Sequence, residues 1–89
     1  MNKMRRKELN DWIKMAEEWA AEGEDIKSEL ENIYSEEEYY FDNMPENLQG
    51  STRGKQSERA IDDMDDAISC IDDAVNSINE SIKNIRKII

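Results

Sequence analysis

Apolar residues in the C-terminal third of the chain recur at alternating intervals of three and four residues. On an α-helix this spacing forms one stripe, the a and d seam of a heptad repeat. The members of the seam are Ile61, Met64, Ile68, Ile71, Val75, Ile78, Ile82, Ile85 and Ile89. At position g runs a second, mostly small row, which would let another helix approach closely: Ala60, Ala67, Ala74, Ser81 and Ile88.

The N-terminal half carries a matching stripe. Its a and d members are Leu9, Trp12, Ala16, Trp19, Gly23, Ile26, Leu30, Ile33, Glu37, Tyr40 and Met44. A row at position e widens this face and consists of Ile13, Ala20, Lys27, Tyr34 and Phe41. Glycine costs roughly 1 kcal/mol relative to alanine inside a helix, so Gly23 could end one helix and begin another. Because the heptad phase is the same on both sides of Gly23, we expect one continuous helix, and a three-helix chain is the alternative.

The two stripes predict an all-α fold with a single domain over residues 1–89. The first helix is expected from about residue 3 to residue 42, since Pro45 pushes the residue before it out of the helical region. A connector over 43–52 contains the turn residues Asn, Pro and Gly. Ser51 or Thr52 can cap the second helix, which is expected from about residue 53 to residue 89. Two long helices of similar length with a short connector favour an antiparallel, coiled-coil-like hairpin.

If the hairpin turns near residue 47, residues at equal distances from the turn along the two helices face each other. The numbers of two facing residues then sum to about 96. Trp19 then lies near Ala74 and Ile78, and Trp12 lies near Ser81 and Ile85. The same register predicts charge pairs between the helices: Lys27 with Asp66 and Asp73, Arg59 with Glu36, Glu37 and Glu38, and Lys83 and Arg86 with Glu8 and Asp11. Leu48 is expected to fold back over Tyr40 or Phe41.

Each apolar face is wider than a seam between two helices requires, and large uncovered apolar areas usually mark interfaces. We therefore predict that two hairpins form a homodimeric four-helix bundle, with a different partner protein covering the same face as the alternative. The residues expected to mediate self-association are Trp12, Trp19, Ala60, Ala67 and Ala74.

The net charge of −10 disfavours direct nucleic-acid binding, which depends on clustered lysine and arginine. The chain has no histidine and shows no nucleophile–base pair, phosphate loop or metal-ligand set, so neither catalysis nor a cofactor is expected. Cys70 is the only cysteine, expected to be half-buried, and its lack of a disulfide partner fits the cytoplasm. No apolar run approaches the ~20 residues that span a bilayer.

Two groups of residues are candidates for binding a partner. The aromatic and aliphatic residues near the tip resemble those of interface hot spots, although they could equally seal the end of the hairpin: Tyr39, Tyr40, Phe41, Met44 and Leu48. Asp62, Asp66 and Asp73 lie on the outer arc of the second helix. The simplest interpretation is that they form a solvated surface without a binding role. The functional interpretation is an acidic, DNA-mimic-like surface that binds a host protein with a basic groove.

Charge is distributed unevenly along the chain. Residues 1–14 carry +3 and residues 81–89 carry +3, whereas residues 15–46 carry −11 and residues 61–80 carry −7. A hairpin brings the two basic termini together. Cations suit the end of the second helix but oppose the dipole at the start of the first. The N-terminal cluster is therefore either a solvated terminus or a group that pairs with the acidic side of a neighbouring subunit.

The segment Tyr40-Phe41-Asp42-Asn43-Met44-Pro45-Glu46-Asn47-Leu48-Gln49-Gly50-Ser51, followed by heptads rich in Asp, Ala and Ile, resembles small acidic helical proteins of phages and prophages of Gram-positive bacteria. The resemblance covers roughly residues 30–80. It implies a non-enzymatic phage accessory protein, a type that often inhibits host machinery by protein–protein binding. A structural coiled-coil module whose only partner is itself is the alternative.

Overall fold

The computed structural model describes all 89 residues and consists of three helices. Helix α1 spans Lys3–Asp42, the short helix α2 spans Glu46–Gln49, and helix α3 spans Thr52–Arg86. α1 and α3 pack against each other as an antiparallel hairpin, with α2 at the tip. The predicted all-α hairpin is confirmed, and α2 is a helical turn that the sequence did not predict within the connector.

The hairpin is rod-shaped, with Cα extents of 68 × 15 × 14 Å and a radius of gyration of 20.0 Å. A compact chain of this length would have a radius near 12 Å. Only 9 of the 89 residues are buried, because two helices can shield only one stripe of each other. No helix in the molecule is long and apolar enough to cross a membrane.

The isoleucine seam of α3 faces α1 as predicted. Val75 is 1 % exposed and Ile82 is 4 % exposed, and the other seam residues from Ile61 to Ile85 are half-buried. Ile82 forms a small core with Ile13 and Ala16, and half-buried Trp12, Ile78 and Ile85 pack around it. The apolar spacing of α3 therefore identified its packed side correctly.

α1 is rotated by about one row relative to the predicted seam. The a row does face α3, but its partner row is e and not d, so Ile13, Ala16, Ala20 and Gly23 are buried. The predicted d row lies at the edge, where Trp19, Ile26, Ile33 and Tyr40 are 46 %, 56 %, 54 % and 46 % exposed. The a and e rows also alternate by four and three residues, so spacing alone could not separate the two seams.

Small side chains at the centre of α1 explain the rotation. Gly23 does not interrupt the helix; it is buried, and a methyl group there would lie 2.8 Å from Cγ2 of Val75. With Ala16, Ala20 and Gly23 facing inward, the backbones approach closely and the seam of α3 becomes well packed. The large side chains of the d row would hold the helices apart if they occupied the same place.

The register matches the prediction near the middle of the hairpin, but most of the predicted charge pairs are wrong. Lys27 donates to Asp72, at 2.9 Å, and not to Asp66 or Asp73. Arg86 pairs with Glu17 at 3.2 Å, and neither Arg59 nor Lys83 forms an ion pair. Rotation of α1 moves Glu8 and Asp11 away from α3 and brings the e and b rows of α1 alongside the e row of α3, which accounts for the new partners.

The tip is held by side chains that donate to backbone carbonyl groups at and just beyond the end of α1. Nε2 of Gln49 donates to the carbonyl oxygens of Phe41 and Met44 at 3.2 and 3.1 Å. Nδ2 of Asn43 donates to the carbonyl oxygen of Tyr39 at 2.8 Å. Ser51 caps α3 as predicted, since its Oγ accepts a bond from the Gly54 amide at 3.3 Å. The bond from Ser51 satisfies an amide that the start of a helix leaves unpaired, whereas the bonds to Tyr39 and Phe41 add to backbone hydrogen bonds that these carbonyl groups already accept.

Candidate interaction surface

The long sides of the hairpin differ in chemistry. One side carries the two ion pairs between helices, Lys27–Asp72 and Arg86–Glu17. The hydrogen bond to Asp72, followed by the charges of nearby carboxylates, raises the pKa of Lys27. We call this side the polar side.

The opposite side is apolar along most of its length. It combines the d row of α1 with the g row of α3. The two rows meet in a shallow groove that is apolar except for one carboxylate and is lined by Trp19, Glu22, Gly23, Ile26, Ile71, Ala74 and Val75. We call the two rows together the apolar face; its members are Trp12, Trp19, Ile26, Ile33, Tyr40, Ala60, Ala67, Ala74, Ser81 and Ile88. Residues seven positions apart lie on nearly the same line of a helix, so each row forms a ridge along the rod.

Most of the apolar face is in contact with solvent. Among the members of the apolar face, only Trp12 in α1 and Ala60 in α3 are half-buried. Ala67, Ala74 and Ser81 are exposed, and Ile88 is 53 % exposed. Trp19 and Ala74 line the same groove, as the predicted register requires. The five residues predicted for self-association, Trp12, Trp19, Ala60, Ala67 and Ala74, are thus on one side of the molecule, at its surface or partly so.

The predicted aromatic group at the tip divides into structural and exposed members. Met44 is 8 % exposed and Phe41 is half-buried, so these two seal the end of the hairpin. Tyr39 is 73 % exposed, and it lines a shallow groove with Tyr40, Pro45 and Leu48. Leu48 therefore shares a groove with Tyr40, as expected, but remains 44 % exposed.

The acidic candidates are fully in solvent. Asp62, Asp66 and Asp73 are exposed and form no ion pair within the molecule. They lie on the outer side of α3, away from the apolar face. No group of three acidic or thiol side chains is placed to hold a metal ion.

Cys70 is exposed, which corrects the expectation that it is half-buried. It occupies position c, beyond the g row, on a side of α3 that α1 does not cover. Its thiol has no hydrogen-bond or ion-pair partner that would mark it as reactive.

A polar contact that was not predicted from the sequence lies inside the seam. Glu37, a weak position of the α1 stripe, accepts a hydrogen bond from Oγ of Ser57 at 2.6 Å, and Ser57 is 3 % exposed. Ser57 lies at the d position four residues before Ile61, so a polar residue opposite Glu37 could have been anticipated from the register. The pair satisfies a buried hydroxyl without interrupting the hairpin.

The fold and its surface define a long, all-α helical hairpin with one uncovered apolar side. No protein-family model matches the chain, and no curated protein or solved structure is significantly similar to it. The resemblance of the tip segment to phage proteins therefore stays a prediction. Within the molecule, that segment supplies the hydrogen bonds that close the hairpin.

Proposed function

We propose that this protein is a non-enzymatic protein-binding module that acts through its apolar face. The observation that supports the proposal is the row Trp19, Ile26, Ile33 and Tyr40, each about half exposed at heptad spacing. Exposed apolar residues scattered singly are ordinary, whereas a continuous patch of this length marks an interaction site. Its shape suits helical partners, because ridges at heptad spacing pack between the ridges of another helix.

The geometry also gives the proposed site an energetic basis. Tryptophan, tyrosine and isoleucine each remove a large apolar area from water on binding, and aromatic residues are enriched among hot spots. Full burial of a large apolar side chain contributes about 1.5–3 kcal/mol, and because these side chains are already about half buried in the hairpin, a partner adds roughly half of that for each. The flanking Ala67 and Ala74 are small and exposed, so a partner helix can approach the groove closely.

Site-specific photo-crosslinking in the cells that produce the protein tests the proposal. A benzophenone amino acid replaces Ile33 on the apolar face in one variant and Asp73 on the outer side of α3 in a matched control. We expect covalent protein adducts from position 33 and few from position 73. Circular dichroism checks that both variants remain helical, and the absence of adducts from position 33 would refute the proposed function.

The second candidate function is inhibition of a host protein with a basic surface through Asp62, Asp66 and Asp73, in keeping with a phage accessory protein. The observation that favours it is that these carboxylates are exposed and have no partner of their own. Adducts confined to position 73 would support this function instead. In the variant that carries the crosslinker at position 73, replacing the two remaining carboxylates, Asp62 and Asp66, with asparagine should then abolish those adducts while leaving the helical content unchanged.

A further inference from the structure

We infer that the apolar face is covered by a second copy of this chain, packed antiparallel, so that the tips of the two hairpins lie at opposite ends of a four-helix bundle. This inference rests on the proposed function, because it names the occupant of the same surface. In this arrangement α1 lies against α1 of the other copy, and α3 lies against α3.

The dimensions of the face fit such a partner. A side of the rod that measures 68 by 15 Å offers roughly 1,000 Å² to a second hairpin of equal length. Stable interfaces bury about 800 Å² from each partner. A second hairpin is the one occupant whose length necessarily equals that of the face, so it can cover both ridges from end to end.

The two ridges share a midpoint, which an antiparallel two-fold dimer requires. The middle member of the α1 ridge is Ile26 and the middle member of the α3 ridge is Ala74, and both line the central groove. One two-fold axis can therefore pass beside both residues. It places Ile26 against Ile26, Trp19 against Ile33, and Ala74 against Ala74 of the second copy.

Charge selects the antiparallel direction along α1. With Ile26 at the axis, residues 1–14, which carry +3, lie at the same end of the bundle as the tip of the other copy, where residues 38–51 carry −3. The basic residues Lys3, Arg5, Arg6 and Lys7 form no ion pair within their own chain. Their position at a helix N-terminus, which the helix dipole disfavours, is explained if the acidic tip of another copy lies nearby.

The same selection holds along α3. With Ala74 at the axis, residues 81–89, which carry +3, lie at the same end of the bundle as residues 59–67 of the other copy, which carry −3. Most of these charges, including Arg86 and Asp66, lie outside the apolar face, so they favour this direction through the net charge of each end and not through direct contacts. A parallel dimer would instead place α1 over α3 of the other copy. It would bring the four basic termini together and set residues 15–37, at −8, over residues 61–83, at −6.

One set of charges opposes the antiparallel packing. Glu22 and Glu29 border the α1 ridge and are exposed. Glu22 of one copy would approach Glu29 of the other across the axis. Exposed like charges on adjacent helices destabilise only slightly. The opposite net charges at the two ends of each helix pair act against this term.

Pulsed electron paramagnetic resonance on spin-labelled protein measures the direction of packing. Cys70 is the only cysteine and is exposed, so Cys70→Ser gives a background in which Asn47→Cys carries a single label at the tip. The antiparallel dimer predicts a label-to-label distance of about 60 Å, since each tip lies some 30 Å from the axis. A parallel dimer predicts less than about 30 Å, because both tips then lie at the same end.

A label at Asp73→Cys in the same background is the matched control, because residue 73 lies at the same level along the rod as the proposed axis. It should give a distance under about 40 Å in either direction of packing and so reports dimerisation alone. A short distance from both labels overturns the antiparallel inference. Monomeric protein by light scattering overturns the self-association as well, and crosslinks from position 33 to a different protein would then leave the proposed function standing.

Discussion

At the residue scale, the two glycines near the tip differ in the space around them. A methyl group at Gly54 would lie 2.0 Å from the carbonyl oxygen of Gln49 and 2.6 Å from that of Leu48, whereas at Gly50 it would meet nothing within 4 Å. Neither glycine has a positive φ angle. The demand at Gly54 is therefore for space, because the first turn of α3 lies directly against the backbone of the tip.

We expect Gly54→Ala to destabilise the hairpin and Gly50→Ala to leave it nearly unchanged. Alanine adds about 1 kcal/mol of helix propensity at position 54, but the backbone must shift to remove the clash, and such overpacking typically costs 1–3 kcal/mol. Urea unfolding followed by circular dichroism measures both variants. A Gly54→Ala protein as stable as the Gly50→Ala protein would show that the tip is looser than its hydrogen bonds indicate.

At the element scale, α1 and α3 are positioned by a size match between Gly23 and Val75. Val75 is 1 % exposed, and a β-branched side chain has few rotamers with which to avoid a new neighbour. Helix propensity favours alanine over glycine in the middle of α1 by about 1 kcal/mol. At position 23 the gain in helix propensity from alanine is therefore opposed by its clash with the facing side chain. The size of that side chain decides which of the two effects is larger.

A double-mutant cycle separates these effects. We expect Gly23→Ala to destabilise the protein when Val75 is present, since a methyl group 2.8 Å from Cγ2 forces the helices apart. In a Val75→Ala background the clash is gone, so the same change should stabilise by up to about 1 kcal/mol. The coupling energy comes from the unfolding free energies of the four proteins, and a value near zero would mean that the helices do not approach closely at this point.

At the scale of the whole molecule, the hairpin has too little core for its length. Nine buried residues out of 89 leave the apolar face as the largest source of further burial, and small domains commonly gain stability by oligomerisation. A second copy that binds only folded protein stabilises it by mass action. Its stability should consequently depend on concentration.

We expect the thermal midpoint to rise by about 4 °C for each tenfold increase in concentration, using the usual unfolding entropy per residue for a dimer of this size. Ile26→Asp places a charge on the apolar face and should abolish this dependence. Ser28→Asp adds the same charge at an exposed position of α1 outside the face and should retain it. A midpoint independent of concentration in the unmodified protein would contradict self-association.

The sequence alone determined the elements of this protein. Apolar spacing predicted both long helices, the continuity of α1 through Gly23 and the packed side of α3, because heptad periodicity has a direct geometric meaning on a helix. Pro45 and Ser51 identified the end of α1 and the start of α3 for equally local reasons. The rows that form the apolar face were also identified, although the d row of α1 was expected inside the hairpin.

Only the tertiary structure decided which row of α1 faces α3. Both candidate seams have the same alternating intervals, and the choice depends on how closely two backbones can approach, which involves Ala16, Ala20 and Gly23 of one helix and Val75 of the other. The ion pairs of Lys27 and Arg86 follow from that choice. The rotation of α1 about its own axis depends on contacts with α3, which is distant along the chain. The periodicity of α1 alone therefore cannot distinguish between the two seams.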